Sequence, residues 1–550
     1  MNGYGHALWS RPEDVSENSG NMQMTWESDR RYLILAWTWV LGFSFLRLMY
    51  ANFFLLAPDE ANYWQWGRHM AWGYHDQAPL IAWAIRLSTR FLGHTELAVR
   101  LPSIMAVAVA SLYLVGIAAR WVDYRAAFST AVFTQAIFEF NVGGLLATPD
   151  GLQAAAWAGA AYHTARAYES DDWAQWLVCG VWFGVGMLGK YTMVIFLPSA
   201  FCYGLFSPVH RRRLLSIRPY AGLLIGLLMF MPVVMWNAAN HWNSLRHVAH
   251  IGGADEGFAI SLKFFGEYLA SQAALLSPLV FVLVLMAWVA VFKRGYPEEK
   301  WIYPYLVYTS LPMFAVFALL SLHSRVYGNW PGAGFLTAAV LTAALYGRKP
   351  AGAVAEKQPA GPGCRLYPWA VGSSYILTVL VCMQTVWPVL PIPETLDRTV
   401  TELRGWRELG LKTHDVEQTM PNPPRTFIFG LDYQTASELA FYTPGHPRTV
   451  SINRWLRPNV YDYWWRDEDL MGWDGVGVTY DGSSHLQRLN QVFEHVDPPI
   501  RLDIFRPAAW SSGAGAQEKP VQTFFLYRAY GFKGGLRWIP PDSRDIRAGS

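Results

Sequence analysis

Long apolar runs fill most of the first 390 residues, and short alternating runs follow them. An apolar run of roughly 17–25 residues is long enough to cross a bilayer as a helix. About eleven such runs are present, near 32–56, 98–119, 126–146, 150–168, 173–189, 191–207, 219–237, 270–292, 301–322, 331–347 and 369–390. A long polar-aromatic loop, 57–97, separates the first two. In it "DEANYWQWGRHM" sets Tyr63, Trp66 and Met70 on one helical face, and a second such stretch covers 241–268. Both predict amphipathic helices lying on the membrane surface. Beyond residue 391 the period changes. "RTFIFG", "GVGVTY", "IRLDIF" and "TFFLYRAYGF" predict strands, and "DYQTASELAFYT" a helix between them. The expected architecture is an α-helical polytopic membrane domain, 32–390, followed by a small α/β domain, 391–550.

Composition agrees with this reading. The chain is 52% hydrophobic and 15% charged, against about 25% charged in soluble domains. Basic residues then orient it. Arg120 and Arg125, Arg166, the 210–218 cluster, the 293–300 cluster and the 348–365 cluster (a Pro/Gly/Ala linker) all fall on one side if residues 1–31 are a cytoplasmic tail. An odd number of spans puts the C-terminal domain outside. The first apolar run follows Arg30 and Arg31, as a retained signal anchor would. A net charge of +3 gives no field for nucleic acid. The 4 cysteines lie in apolar runs or a basic loop without metal-ligand spacing, so no disulfide framework is expected.

Ionisable residues are few on the outer side, and charges at span ends usually face a cavity or a partner. Asp59, Asp150 and Lys190 each stand at the outer end of a different run. Asp59, with Glu60 beside it, suits acid/base work or a metal; a divalent metal at this acidic site stays open, and His69 and His75 read as loop residues. Lys190 and Arg325 suit phosphate oxygens. Tyr63, Trp64, Trp66 and Trp72 suit a sugar surface, with His75 nearby. Each has a plainer reading. Asp59 and Glu60 suit a helix N-terminus, Asp150 after Pro149 suits an N-cap, and Lys190 suits a side chain snorkelling to the interface.

The order of the motifs favours the chemical readings. "PDEANYWQW", "WGYHDQAPLIAW", "ELAVRLPS", "ATPDG", "GKYT", "PVVMWNAANHWNS" and "RVYGNWPGAGF" together resemble the integral-membrane glycosyltransferases of the GT-C class. The likeness is greatest to the dolichyl-phosphate-mannose protein mannosyltransferase-like group, which includes the bacterial lipid A aminoarabinose and galacturonic acid transferases. The resemblance implies a multi-pass enzyme of the bacterial inner membrane. It implies a polyprenyl-phosphate-linked sugar donor, an extracytoplasmic acceptor (lipid A, another glycolipid, a glycan or a protein) and inversion at the anomeric carbon. It also implies catalytic roles at Asp59 and Asp150 and donor-phosphate contact at Lys190. The chain departs from the group at "HDQAP", where relatives more often have Asp-His-Pro-Pro, and at "GKY", where Ser-Lys-Tyr is common.

Two rivals follow from the same pattern. One is a transporter or flippase for a lipid-linked or anionic substrate. Against it, the ionisable residues lie at the outer rim, not the midplane, and no internal repeat appears. The other is a non-enzymatic envelope assembly protein.

Overall fold

The computed structural model describes residues 19–253, 259–347, 361–387, 390, 392, 397–480, 485–505 and 520–538. The linker expected at 348–363 and the tail at 1–31 lie mostly outside them. The chain divides into two compact units. One comprises Met1–Tyr50, Gln77–Ile81 and Arg100–Val379; the other comprises Ala51–Asp76, Ala82–Val99 and Leu380–Ser550.

The first unit is helical, and every predicted apolar run contains helix. Five helices are long and apolar enough to cross a membrane, among the described residues: Arg30–Tyr50, Glu96–Trp121, Arg218–Ala239, Ile302–Leu320 and Pro362–Val386. Leu262–Leu276 and Pro278–Arg294 pass that test only as a pair, bent by 106°. The bend falls at Ser277, whose φ of 74° and ψ of 143° are not helical. Pro278 restricts the residue before it to extended ψ, which breaks the helix there. Trp173–Gly189, Tyr191–Phe206 and Gly332–Tyr346 are apolar but shorter.

Two local devices shape this unit. Polar caps start helices: Asp123 accepts from the Ala126 N–H at 2.7 Å, and Ser261 from that of Phe264 at 3.3 Å. Small residues bring helices close. Gly180 and Gly184 on Trp173–Gly189 face Gly222 and Gly226 on Arg218–Ala239, and a Cβ at Gly180 would overlap the Gly222 carbonyl. Both pairs have the four-residue spacing that lets membrane helices touch backbone to backbone. Outward-facing Leu35, Phe45, Leu224, Leu228, Met235 and Ile376 stay exposed, as lipid-facing side chains do.

The second unit is built on a sheet of β1 (Thr426–Gly430), β2 (Thr449–Ser451), β3 (Asp474–Thr479), β4 (Phe493–Val496), β5 (Ile500–Ile504) and β6 (Gln522–Phe532). The order is β2-β1-β3-β6-β4, with β5 also on β6; β1 runs parallel to β2 and β3, while β6 is antiparallel to its neighbours. Alternation along β1 fills both faces. Phe427 and Phe429 pack with Phe493 and Phe532, while Ile428 packs with Leu439, Val476 and Phe524. Helices Trp406–Gln418 and Tyr433–Tyr442 contribute Leu409 and Leu439 to this second face.

The sequence reading groups the 57–97 loop with the spans. The structure instead packs Ala51–Asp76 and Ala82–Val99 with the C-terminal sheet domain. The aromatic face of helix Pro58–Arg68 is the reason. Trp64 meets Phe441 edge-on at 4.9 Å, Gln65 donates to Thr449 and Tyr461 at 3.2 Å, and the Leu56 N–H donates to Tyr442 Oη at 2.7 Å. Burying such rings against protein satisfies them as well as an interfacial position would.

Candidate active site

In the second unit, Pro58 opens the loop helix and Asp59 and Glu60 occupy its first turn. The two acids do different work. Ala57 stands at the N-cap with no side chain to cap with, and the Glu60 carboxylate accepts from the Ala57 N–H at 2.9 Å. Glu60 is buried and serves the helix end. Asp59 makes no cap. Its carboxylate accepts from Gln434 Nε2 at 3.4 Å. Desolvation by the surrounding protein holds the Asp59 carboxyl above its ordinary value; the Gln434 hydrogen bond opposes this, Asp76 and Glu402 add to it, and Arg457 opposes it. Arg457 in turn pairs with Asp76 at 3.0 Å and lies 5.1 Å over the Tyr433 ring.

The expected sugar surface divides. Trp66 is fully buried, stacked on Tyr74 at 4.4 Å, with its indole N–H on Asn62 at 3.1 Å. It is core, because Tyr74 is itself pinned to the Trp66 and His69 carbonyls. Trp64 is buried likewise. Tyr63 is half-buried and meets Trp66 edge-on; Trp72 is exposed and packs edge-on against Trp83. His75 is buried, with Tyr463 Oη 3.5 Å from its Nδ1. Of these rings, Trp72 retains the most open surface.

In the first unit, Asp150 sits in the first turn of Pro149–Ser170, and Lys190 in extended backbone just after Trp173–Gly189. Lys190 Nζ lies 2.7 Å from Asp150 Oδ1, and Asn329 Nδ2 lies 3.3 Å from both Asp150 oxygens. The lysine side chain is 6% exposed, so it does not snorkel; Asp150 turns to Lys190 and Asn329, not to its own helix end. Arg325 is different. It is 79% exposed and pairs with Glu267 at 3.6 Å, a surface contact of about 0–1 kcal/mol that fixes little.

Asp150 and Asn329 line a mostly apolar cavity of about 200 Å³ that also contains Thr148, Gln153 and Glu139. Glu139 was not among the residues the sequence singled out. A lone acid inside the apolar run 126–146 was the available signal. Gly332 is packed so closely on its carboxylate that a Cβ there would overlap it. Gln434 and Arg457 had no local signal at all. Among the described residues, neither unit by itself gathers three His, Cys, Asp or Glu ligand atoms as a metal site would need.

Three comparisons bear on this arrangement. Residues 76–236 match the dolichyl-phosphate-mannose-protein mannosyltransferase family. The lipid A galacturonosyltransferase RgtD of Rhizobium johnstonii is 26% identical over 322 residues, 55% of this chain. The match spans 63% of that relative's length. Among solved structures, ArnT from Cupriavidus metallidurans bound to undecaprenyl phosphate aligns with a TM-score of 0.57 at 13% identity, covering 88% of this chain and 97% of that one. The oligosaccharyltransferase AglB from Archaeoglobus fulgidus, in complex with an inhibitory peptide and a dolichol-phosphate, aligns at 0.51 and 12% identity, covering 83% and 70%.

Proposed function

We propose, from the fold and the matched segment, that this chain is a GT-C-class membrane glycosyltransferase that transfers a sugar from a polyprenyl-phosphate donor to an extracytoplasmic acceptor. The acceptor class closest to the relatives is a lipid A-type glycolipid. In this reading the acceptor hydroxyl gives its proton to Asp59 while its oxygen attacks the anomeric carbon. The bond from that carbon to the phosphate oxygen breaks, and the electron pair leaves with the polyprenyl phosphate. Attack opposite the leaving group inverts the anomeric centre.

The observation that carries the reading is the division of labour at residues 59 and 60. Glu60 does the capping, which leaves Asp59 at a helix start with no structural duty there. A carboxyl held above its ordinary value is a better proton acceptor than a free one. Lys190 is assigned to the donor phosphate on separate grounds. It is a buried cation at the C-terminal end of a helix, held in one place by Asp150. A fixed cation beside a departing phosphate stabilises charge as it develops. The enzyme is assigned to the bacterial inner membrane with its C-terminal domain outside.

The test is a mass-spectrometric comparison of lipid A and envelope glycans from cells with and without the gene. A sugar missing from lipid A or another outer glycoconjugate is the expected result. Identical glycans with an altered distribution of lipid-linked sugar across the membrane would favour transport instead.

A further inference from the structure

The residues next to Asp59 come from the edge of the C-terminal sheet. The chain leaves β1 at Gly430 and enters helix Tyr433–Tyr442, which Asp432 caps by accepting from the Thr435 N–H at 2.7 Å. It then forms β2, ends it at Ser451, and reaches Arg457 six residues later. Because the order is β2-β1-β3, the chain departs from β1 to one side and returns on the other. In open α/β sheets that reversal marks where functional side chains gather beyond the carboxyl ends of the strands. Here those side chains are Tyr433, Gln434 and Arg457, and they meet loop carboxylates Asp59 and Asp76.

We propose that Gln434 and Arg457 are positioning residues for the loop carboxylate: Gln434 orients Asp59 through its carboxamide, and Arg457, braced by Asp76 and Tyr433, fixes the charged surroundings of that carboxylate. The proposal rests on the reading of Asp59 as the proton acceptor. Its charged surroundings are mixed. Desolvation opposes its ionisation most and the Gln434 hydrogen bond favours it; Asp76 from the loop and Glu402 from the C-terminal domain add to the opposition, and Arg457 favours ionisation. Glu60 on the same helix is occupied by the Ala57 N–H. A desolvated carboxylate beside other carboxylates is favoured in its charged form by such partners. The C-terminal domain is then part of the catalytic apparatus, acting through Asp59.

The experiment needs no substrate. Full-length protein in detergent is labelled across pH with a water-soluble carbodiimide and an amine, which modify protonated carboxyl groups, and modification of Asp59 is read by peptide mass spectrometry. Gln434→Met and Arg457→Ala should each move the labelling midpoint of Asp59 upward, by roughly half a unit or more. Arg457→Lys should restore most of the second shift. If either variant misfolds, Gln434→Asn and the uncharged Arg457→Gln give the same test at smaller amplitude. Midpoints unchanged in all of them would overturn the proposal. Asp59→Asn in a transfer assay with an undecaprenyl-phosphate-linked sugar separates the two ideas. An active Asp59→Asn enzyme overturns the proton-acceptor reading, whereas an inactive one beside unmoved midpoints overturns only the positioning roles.

Discussion

Lys190 and Asp150 form a 2.7 Å ion pair, with the lysine almost wholly withdrawn from solvent. Removing one partner leaves the other charge buried, which typically costs about 3–5 kcal/mol. Lys190→Met should therefore lower the unfolding temperature in detergent clearly. Lys190→Met with Asp150→Asn should recover most of that loss but none of the activity. If the double variant is as unstable as the single one, the pair does not account for the burial of Lys190.

The donor assignment has a kinetic signature. Lys190→Ala should reduce kcat/KM for a polyprenyl-phosphate sugar by about ten- to hundredfold, the equivalent of roughly 1.5–3 kcal/mol for one charge-assisted contact. Lys190→Arg should recover part of it, since a forked guanidinium replaces a point charge. Unchanged donor kinetics in a folded alanine variant would confine Lys190 to structure.

Asp59→Asn should abolish transfer while leaving the protein folded. Its effect on stability has a definite sign. A carboxyl whose folded value is raised binds its proton more tightly in the native state. Stability is then full below the ordinary carboxyl value and falls as pH rises through the folded one. At neutral pH the asparagine variant should be no less stable than wild type. In the wild type, transfer should fall on the acid side at a pH above the usual carboxylate range. A pH–rate profile and thermal unfolding scans check both.

Gly332 and Glu139 offer a test of the cavity. Gly332→Ala places a methyl group on the Glu139 carboxylate, and should lower both stability and turnover. Glu139→Ala in the same chain removes the collision and should restore stability. If Gly332→Ala alone is harmless, the close approach is not a constraint.

Orientation is checked by a reporter that is active only outside the cytoplasm. Fused after Ser550, it should be active if the basic loops lie on the cytoplasmic side of an odd number of spans, as the positive-inside pattern of the sequence predicts. Activity of a cytoplasmic reporter at that position would reverse the assignment of every outer residue.

Much of this molecule was legible in the chain. Apolar run length marked each helical segment, and β-branched and aromatic runs marked β1, β3, β5 and β6. The pairing of acid and lysine at Asp150 and Lys190 was half legible: both stood out as charges at span ends, but their contact joins two helices 40 residues apart. Trp66 misled, because the same helical spacing describes a membrane-facing stripe and a protein core. Gln434 and Arg457 were invisible, since their partners lie more than 370 residues away in sequence. Span number was uncertain for a physical reason too. A helix broken at Ser277 and helices of 10–17 residues satisfy hydropathy without satisfying length.

The junction of the loop helix with the sheet domain also sets a schedule for biosynthesis. The Leu56 N–H and Tyr442 Oη that bond in the finished protein are separated by 386 residues. At about 5–20 residues per second, the ribosome needs roughly twenty to eighty seconds to supply the second partner. During that interval the nascent loop carries Trp64 without helix Tyr433–Tyr442, whose Phe441 meets it in the finished protein. The headgroup region of the bilayer is the environment in which exposed indoles are best tolerated. Such a surface would shelter Trp64 until the sheet domain is made and Phe441 takes the place of the lipid headgroups.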